Sequence, residues 1–316
     1  MSINQIRFLS LIYASVTYIL AEISKSGIPD RDAYLNFYAR AYDYLSTRWD
    51  EGYLVFFSNE PLWTLLNYYL KNTFSNYSDT VVLSVLIFIS SYIFCNSILR
   101  LVSDKKTIAY VLFIFLFSDP IIKNFIAHIR QGFAMSIFFY ALNFRSFFPR
   151  ISLIVSTTMI HSTFMLIIIN YIYNFFSKKT VPGLRVFIYV IMANILVLSF
   201  YILLEFLKAR QLSALSVPQD LSMNGFIFWF FILLLFMLQN RQFYRENIQS
   251  YYILVFYLNS YFLINYSARF LESLLPLILI SGLNLSGNYR NIFIAAYSFL
   301  SIYLFLFGEL FLIYIF

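Results

Sequence analysis

Long apolar runs separated by short polar clusters dominate the chain. A bilayer crossing needs ~20 apolar residues, fewer where helices are short and the bilayer thins. Runs that meet this cover Phe8–Ile23, Val81–Leu99, Val186–Leu204, Gly225–Gln239, Ser250–Tyr266, Phe270–Leu285 and Ile292–Phe307. Between Thr107 and Phe176 the pattern is denser. Thr107–Ser118 is short and ends at Ser118-Asp119-Pro120, where Ser118 or Asp119 can cap a new helix with Pro120 in its first turn. The next run reaches about Asn143, then "RSFFPR" intervenes and Ile151–Phe176 follows.

As one helix, Ile151–Phe176 would be about 39 Å long, against a hydrocarbon core of ~30 Å. Read unbroken, it puts Lys178, Lys179 and Arg185 outside; read as two short segments breaking at His161-Ser162-Thr163, it puts them inside. The excess of Lys and Arg on cytoplasmic loops favours the break. With the N-terminus inside, the inner face then holds Arg7, Arg100, Lys105, Lys106, Arg145, Arg150, Lys178, Lys179, Arg185, Arg241, Arg245 and Arg290 against only Asp104 and Glu246. The pattern predicts an all-α polytopic integral membrane protein of about eleven membrane segments, a single transmembrane domain over residues 1–316. Two longer stretches fall on the outer face, about 24–80 and 205–224. The first contains "EPLWTLLNYYL" (Glu60–Leu70), whose aromatic, amphipathic character suits a helix lying in the interface. Arg7 and the apolar run behind it resemble a signal peptide without a clear small-x-small cleavage site, so they read as a retained first span.

Composition agrees. The chain is 61% hydrophobic and 12% charged, about half the charge of a soluble domain. Its formal charge of +7 is accounted for by sidedness and calls for no nucleic acid. One cysteine, Cys95, lies inside an apolar run, which excludes a disulfide framework or thiolate metal site. His128 and His161 are the only imidazoles, too few for a histidine-rich metal centre. No metal and no cofactor is expected.

Three charged elements defy the lipid-facing pattern: "HIRQG" at Arg130, "HST" at His161 and "SARFLESLLP" at Arg269. On this topology all three reach the outer face, where arginines run against the positive-inside rule. Ionisable residues in a membrane mark a polar cavity or pathway, and the planar guanidinium fork matches phosphate oxygens. Each also has a plain structural reading: Arg130 snorkelling to headgroups, His161 capping a broken helix, Arg269 pairing with Glu272 three residues on. Most tyrosines of the first loop fit an interfacial aromatic belt.

In order along the chain, "PDRDAYLNFY" (Pro29–Tyr38), "NEPLW" (Asn59–Trp63), "IRQGFA" (Ile129–Ala134), "IHSTF" (Ile160–Phe164) and "ARFLESLLP" (Ala268–Pro276) resemble the EpsG family of Wzy-like bacterial polysaccharide polymerases. The resemblance implies a GT-C-like helical membrane fold and a metal-independent, inverting glycosyltransferase at the outer face of the bacterial inner membrane. Donor and acceptor would be oligosaccharide repeat units linked to undecaprenyl diphosphate, the product an O-antigen, capsule or exopolysaccharide, and the leaving group undecaprenyl diphosphate. Membrane lipid and a chain-length regulator are the expected partners. In that role Arg130 and Arg269, with Gln131 as an accessory donor, would stabilise charge on the leaving diphosphate. His161 is the first choice of base for the acceptor hydroxyl, with Asp32 and Glu60 as alternatives, and Tyr34 and Tyr38 could stack on sugar rings. A lipid-linked oligosaccharide transporter would also need a charged cavity among helices, and a ligase onto a lipid core would differ mainly in acceptor.

Overall fold

A computed structural model describes residues 1–23, 29–177, 180, 182–206, 223–263 and 267–307. The expected outer stretch 205–224 lies outside these residues from 207 to 222, as do Lys178 and Lys179. The described residues form helices and turns, with no strand among them. Three of their helices are long and apolar enough to cross a membrane: Ile3–Ile23 (α1), Asp79–Leu101 (α6) and Asn288–Phe307 (α17). A fourth candidate is the pair Lys106–Phe115 (α7) and Asp119–Ile126 (α8), bent by 63° at the break between them. Shorter apolar helices complete the set, including Phe147–Ile160 (α10) and Met223–Met237 (α13). By length and composition such helices are compatible with a membrane protein.

Packing divides the chain into two compact units, Met1–Ser162 with the stretch from Ala296, and Thr163–Ala295. In the first, α1 lies against α6, and α6 against Ile129–Leu142 (α9), which packs in turn on α10. Ser10, Ala14, Thr17 and Ala21 recur at helical spacing on α1 and are all buried. Small side chains let two backbones approach closely, the packing that substitutes for a hydrophobic drive in lipid. Their hydroxyls are satisfied within the helix: Ser10 donates to the Ile6 carbonyl (2.7 Å) and Thr17 to that of Tyr13 (2.6 Å). The other face of α1 exposes Phe8, Leu11, Ile19 and Ile23, a surface a bilayer would solvate. An aromatic cluster seals the interior, with Phe94 5.0 Å from Phe125 and 5.4 Å from Phe139, and Tyr13 edge-on to Phe125.

The polar breaks in this unit lie where the pattern put them. Ser118 precedes α8 with Pro120 in the first turn, but its hydroxyl meets that of Tyr297 (2.8 Å) and makes no cap bond. The stretch 151–176 is interrupted at His161, with α10 on one side and a 3-10 turn Ser162–Phe164 followed by Met165–Phe176 (α11) on the other. The first stretch expected on the outer face folds, where described, into helices Pro29–Ala39 (α2), Ala41–Asp50 (α3), Tyr53–Ser58 (α4) and Pro61–Thr73 (α5).

The second unit is built around Ile248–Ser260 (α15), which packs against α11, α13, Pro182–Phe206 (α12) and Ser267–Leu283 (α16). Every residue of α15 from Ser250 to Tyr257 is buried, as expected of a helix apolar all round. Its polar groups find partners inside: the hydroxyls of Ser250 and Ser281 lie 2.7 Å apart, and Arg185 Nε donates to the Tyr252 hydroxyl at 2.7 Å. Tyr189 stacks on Tyr252 with ring centroids 4.2 Å apart and donates to Asn170 Oδ1 (2.6 Å).

Gly132 marks a close approach in the first unit. A Cβ there would lie 2.5 Å from the Asn124 carbonyl oxygen and 2.8 Å from Phe125 Cδ1, so backbone as well as side chain would have to move. Gly132→Ala is therefore expected to destabilise the protein by about 1–3 kcal/mol, read as a lower thermal midpoint in detergent. An unchanged midpoint would show that the α8–α9 junction yields freely.

Candidate functional site: a buried ion pair at Glu60 and Arg130

Glu60 stands between α4 and α5, directly before Pro61. The proline ring crowds the preceding residue out of the right-handed helical region, so α4 cannot continue into α5. Glu60 instead adopts a left-handed conformation (φ 59°, ψ 60°), the only non-glycine residue with positive φ among those described. For an L-residue this costs roughly 1–2 kcal/mol, so the surroundings must hold it.

Two arginines do so. Arg48 of α3, itself buried, donates through Nη1 to the Asn59 carbonyl (2.6 Å) and to the Thr64 hydroxyl, gripping the chain on both sides of Glu60. Its guanidinium also lies 5.3 Å from the centre of the Phe37 ring. Arg130, in the first turn of α9, reaches the carboxylate itself: its Nη1 donates to Glu60 Oε2. The other oxygen, Oε1, accepts the backbone N–H of Ser162 at 3.2 Å. The Glu60 side chain is 4% exposed and that of Arg130 13%. Removing one partner of so buried a pair typically costs 3–5 kcal/mol, because it strands the other charge. Beneath the pair, the Tyr34 ring centre is 5.8 Å from the Arg130 guanidinium, and Tyr34 meets Trp63 edge-on at 5.9 Å.

The first unit thus brings together Glu60, Arg130, Tyr34 and the His161–Ser162 turn. His161 ends α10 in an extended conformation, is buried, and donates its backbone N–H to Thr157 (2.8 Å). Gln131 is fully buried beside Arg130, its N–H closing the first turn of α9 on the His128 carbonyl (2.8 Å). Asp32 stands exposed on α2. Tyr38 is buried further along α2, with Lys71 Nζ 5.2 Å from its ring centre and Lys71 in turn 2.7 Å from Asp79. Arg269 belongs to the second unit, in the first turn of α16, where its carbonyl accepts the Ser273 hydroxyl (2.8 Å), which lies 3.1 Å from that of Thr163.

Sequence reasoning passed over Arg48, Thr64 and Ser162. An arginine between aromatic residues in the outer stretch was the available signal for Arg48; nothing in a sequence marks the backbone N–H of Ser162. Among the described residues no three His, Cys, Asp or Glu side chains gather as a metal ion would require. Comparison with protein-family models, curated proteins and solved structures gives no match. The site must be read from its own chemistry.

Backbone strain and carboxylate can be separated at Glu60. Glu60→Ala and Glu60→Gly both lose the ion pair, but only glycine is at ease at this φ. The glycine variant is expected to be about 1 kcal/mol the more stable, measured by thermal or denaturant unfolding. Equal stabilities would mean the turn relaxes once the carboxylate has gone.

Proposed function

We propose that this protein is the polysaccharide polymerase its series of motifs resembles: a metal-independent inverting glycosyltransferase joining undecaprenyl-diphosphate-linked repeat units at the outer face of the bacterial inner membrane. The proposal includes a GT-C-like arrangement of about eleven membrane segments. The observation that carries it is the buried Glu60–Arg130 pair, seated beside the His161 break and on the element, Ile129–Ala134, most distinctive of that resemblance. A guanidinium held rigidly in surroundings poor in water is suited to an oxyanion, since fixed donors stabilise developing charge without reorganising.

In this reading the acceptor hydroxyl attacks the anomeric carbon of the donor glycan from the face opposite the diphosphate. The new C–O bond forms as the glycosyl–phosphate bond breaks, and undecaprenyl diphosphate leaves with the bonding electrons. Arg130, with Gln131 beside it, takes up the charge developing on the leaving phosphate. The hydroxyl proton passes to His161, with the exposed Asp32 as alternative acceptor. Both Glu60 oxygens already accept hydrogen bonds, so Glu60 serves best as the anchor that aims Arg130 and keeps it compensated before substrate arrives.

Purified protein given lipid-linked repeat units, with chelator and without nucleotide, is expected to yield a ladder of polymer lengths on a gel. Arg130→Lys keeps the charge but loses the planar fork, and is expected to lower turnover about 10²–10³-fold at normal expression. A wild-type ladder from that variant would remove Arg130 from the reaction. Movement of the intact lipid between leaflets without any ladder would favour a transporter, and a single transfer onto a lipid core a ligase.

A further inference from the structure

If the Glu60–Arg130 site joins glycan units, the product must leave across some surface, and Tyr34 and Tyr38 offer little for it: both rings are buried in helix packing. Exposed aromatic rings occur elsewhere in the same stretch, at Tyr42, Phe57, Tyr69 and Tyr77 and, as a contacting pair, within "RWDEGY" (Arg48–Tyr53). Trp49 is 53% exposed and Tyr53 69%. Their rings meet edge-on, centroids 5.3 Å apart and 80° between planes, and Trp49 leans at 5.4 Å on the buried ring of Phe56. Gly52 makes this possible: its φ of 106° and ψ of 161° turn the chain between α3 and α4, a conformation other residues rarely adopt, and so bring Tyr53 beside Trp49. Asp50 and Glu51, which separate the two residues in the sequence together with Gly52, are both exposed.

We propose that Trp49, Asp50, Glu51 and Tyr53 form a glycan-binding platform that holds sugar residues of the chain beyond the reacting one; the proposal rests on the polymerase reading for its role, not for its chemistry. Rigid aromatic faces cover the apolar C–H faces of a sugar at little entropic cost, and ionised carboxylates are strong acceptors for its hydroxyls. The same charges argue against a lipid occupant. An anionic headgroup layer attracts Lys and Arg, and the exposed charges from Trp49 to Tyr53 along the chain are carboxylates only. The platform is also joined to the site: Arg48, next to Trp49 on α3, holds Asn59 and Thr64 on either side of Glu60. Glycan and reacting end are thus carried on one braced piece of chain.

Tryptophan emission tests this directly. Trp63 and Trp229 are buried, so Trp49 is the exposed indole, and a Trp49→Phe difference spectrum isolates it. With the full chain in nanodiscs, the probe is short oligosaccharide fragments, several repeat units long, cut from the producing cell's own surface polysaccharide. A saturable change in Trp49 emission is expected, roughly tenfold weaker in Tyr53→Ala and also weakened in the Asp50→Asn, Glu51→Gln pair, which leaves the rings in place. In the ladder assay Trp49→Ala is expected to shorten the products. Quenching of Trp49 by brominated lipid with no response to the fragments would overturn the proposal in favour of a lipid contact; so would no response to either. A saturable response in a protein that makes no ladder would keep the platform and reject the polymerase reading.

Discussion

The pairing of Glu60 with Arg130 is the constraint on which the first unit's polar interior depends. It is an expensive choice: two charges leave water, and one sits on a left-handed residue. Apolar side chains of similar volume would fill such a place at no loss of stability, and often with a gain. What the ion pair supplies is direction. One carboxylate ties the start of α9 to the α4–α5 turn and to Ser162, just beyond the end of α10. Three segments far apart in sequence are thereby placed relative to one another by hydrogen bonds whose geometry is narrow, where apolar packing alone would allow sliding.

Arg48 explains how the turn survives its own strain. A left-handed glutamate before a proline would relax unless both flanks were fixed, and Arg48 fixes the Asn59 carbonyl and the Thr64 hydroxyl together. Its cost of burial is offset by those acceptors and by the aromatic rings of Phe37 and Tyr44 around it. The two arginines therefore divide the work: one holds the backbone, the other the carboxylate.

The helices were legible in the sequence because apolar run length and polar punctuation are properties of side chains alone. The break at His161 and the start at Ser118-Asp119-Pro120 fall where charge sidedness and capping chemistry put them. The number of crossings was less legible: α10 and α13 are apolar enough but short, and run length cannot say whether a short helix spans a membrane or is buried in protein. The site was half legible. Arg130, His161 and Glu60 stand out as charged or polar residues in apolar surroundings. That Glu60 is the partner of Arg130, seventy residues on, follows only from a tertiary fold, and the Ser162 contribution is a backbone amide that any residue there could provide. Tyrosine, being at home in cores, interfaces and sugar sites alike, gave no sign from sequence that Tyr34 and Tyr38 turn inward while Tyr53 faces out.

The pair also bears on why an arginine should stand on the outer side at all. On the proposed topology Arg130 breaks the positive-inside pattern, and a lone guanidinium there would be pulled toward headgroups. With Glu60 against it, the charge is neutralised locally and the side chain is turned inward over Tyr34. A compensated arginine of this kind is poised for an anion that can replace or share its carboxylate, because exchange of one oxyanion for another leaves the net buried charge small. An arginine without Glu60 would bind phosphate more tightly in the ground state but would lack a fixed direction from which to favour the transition state.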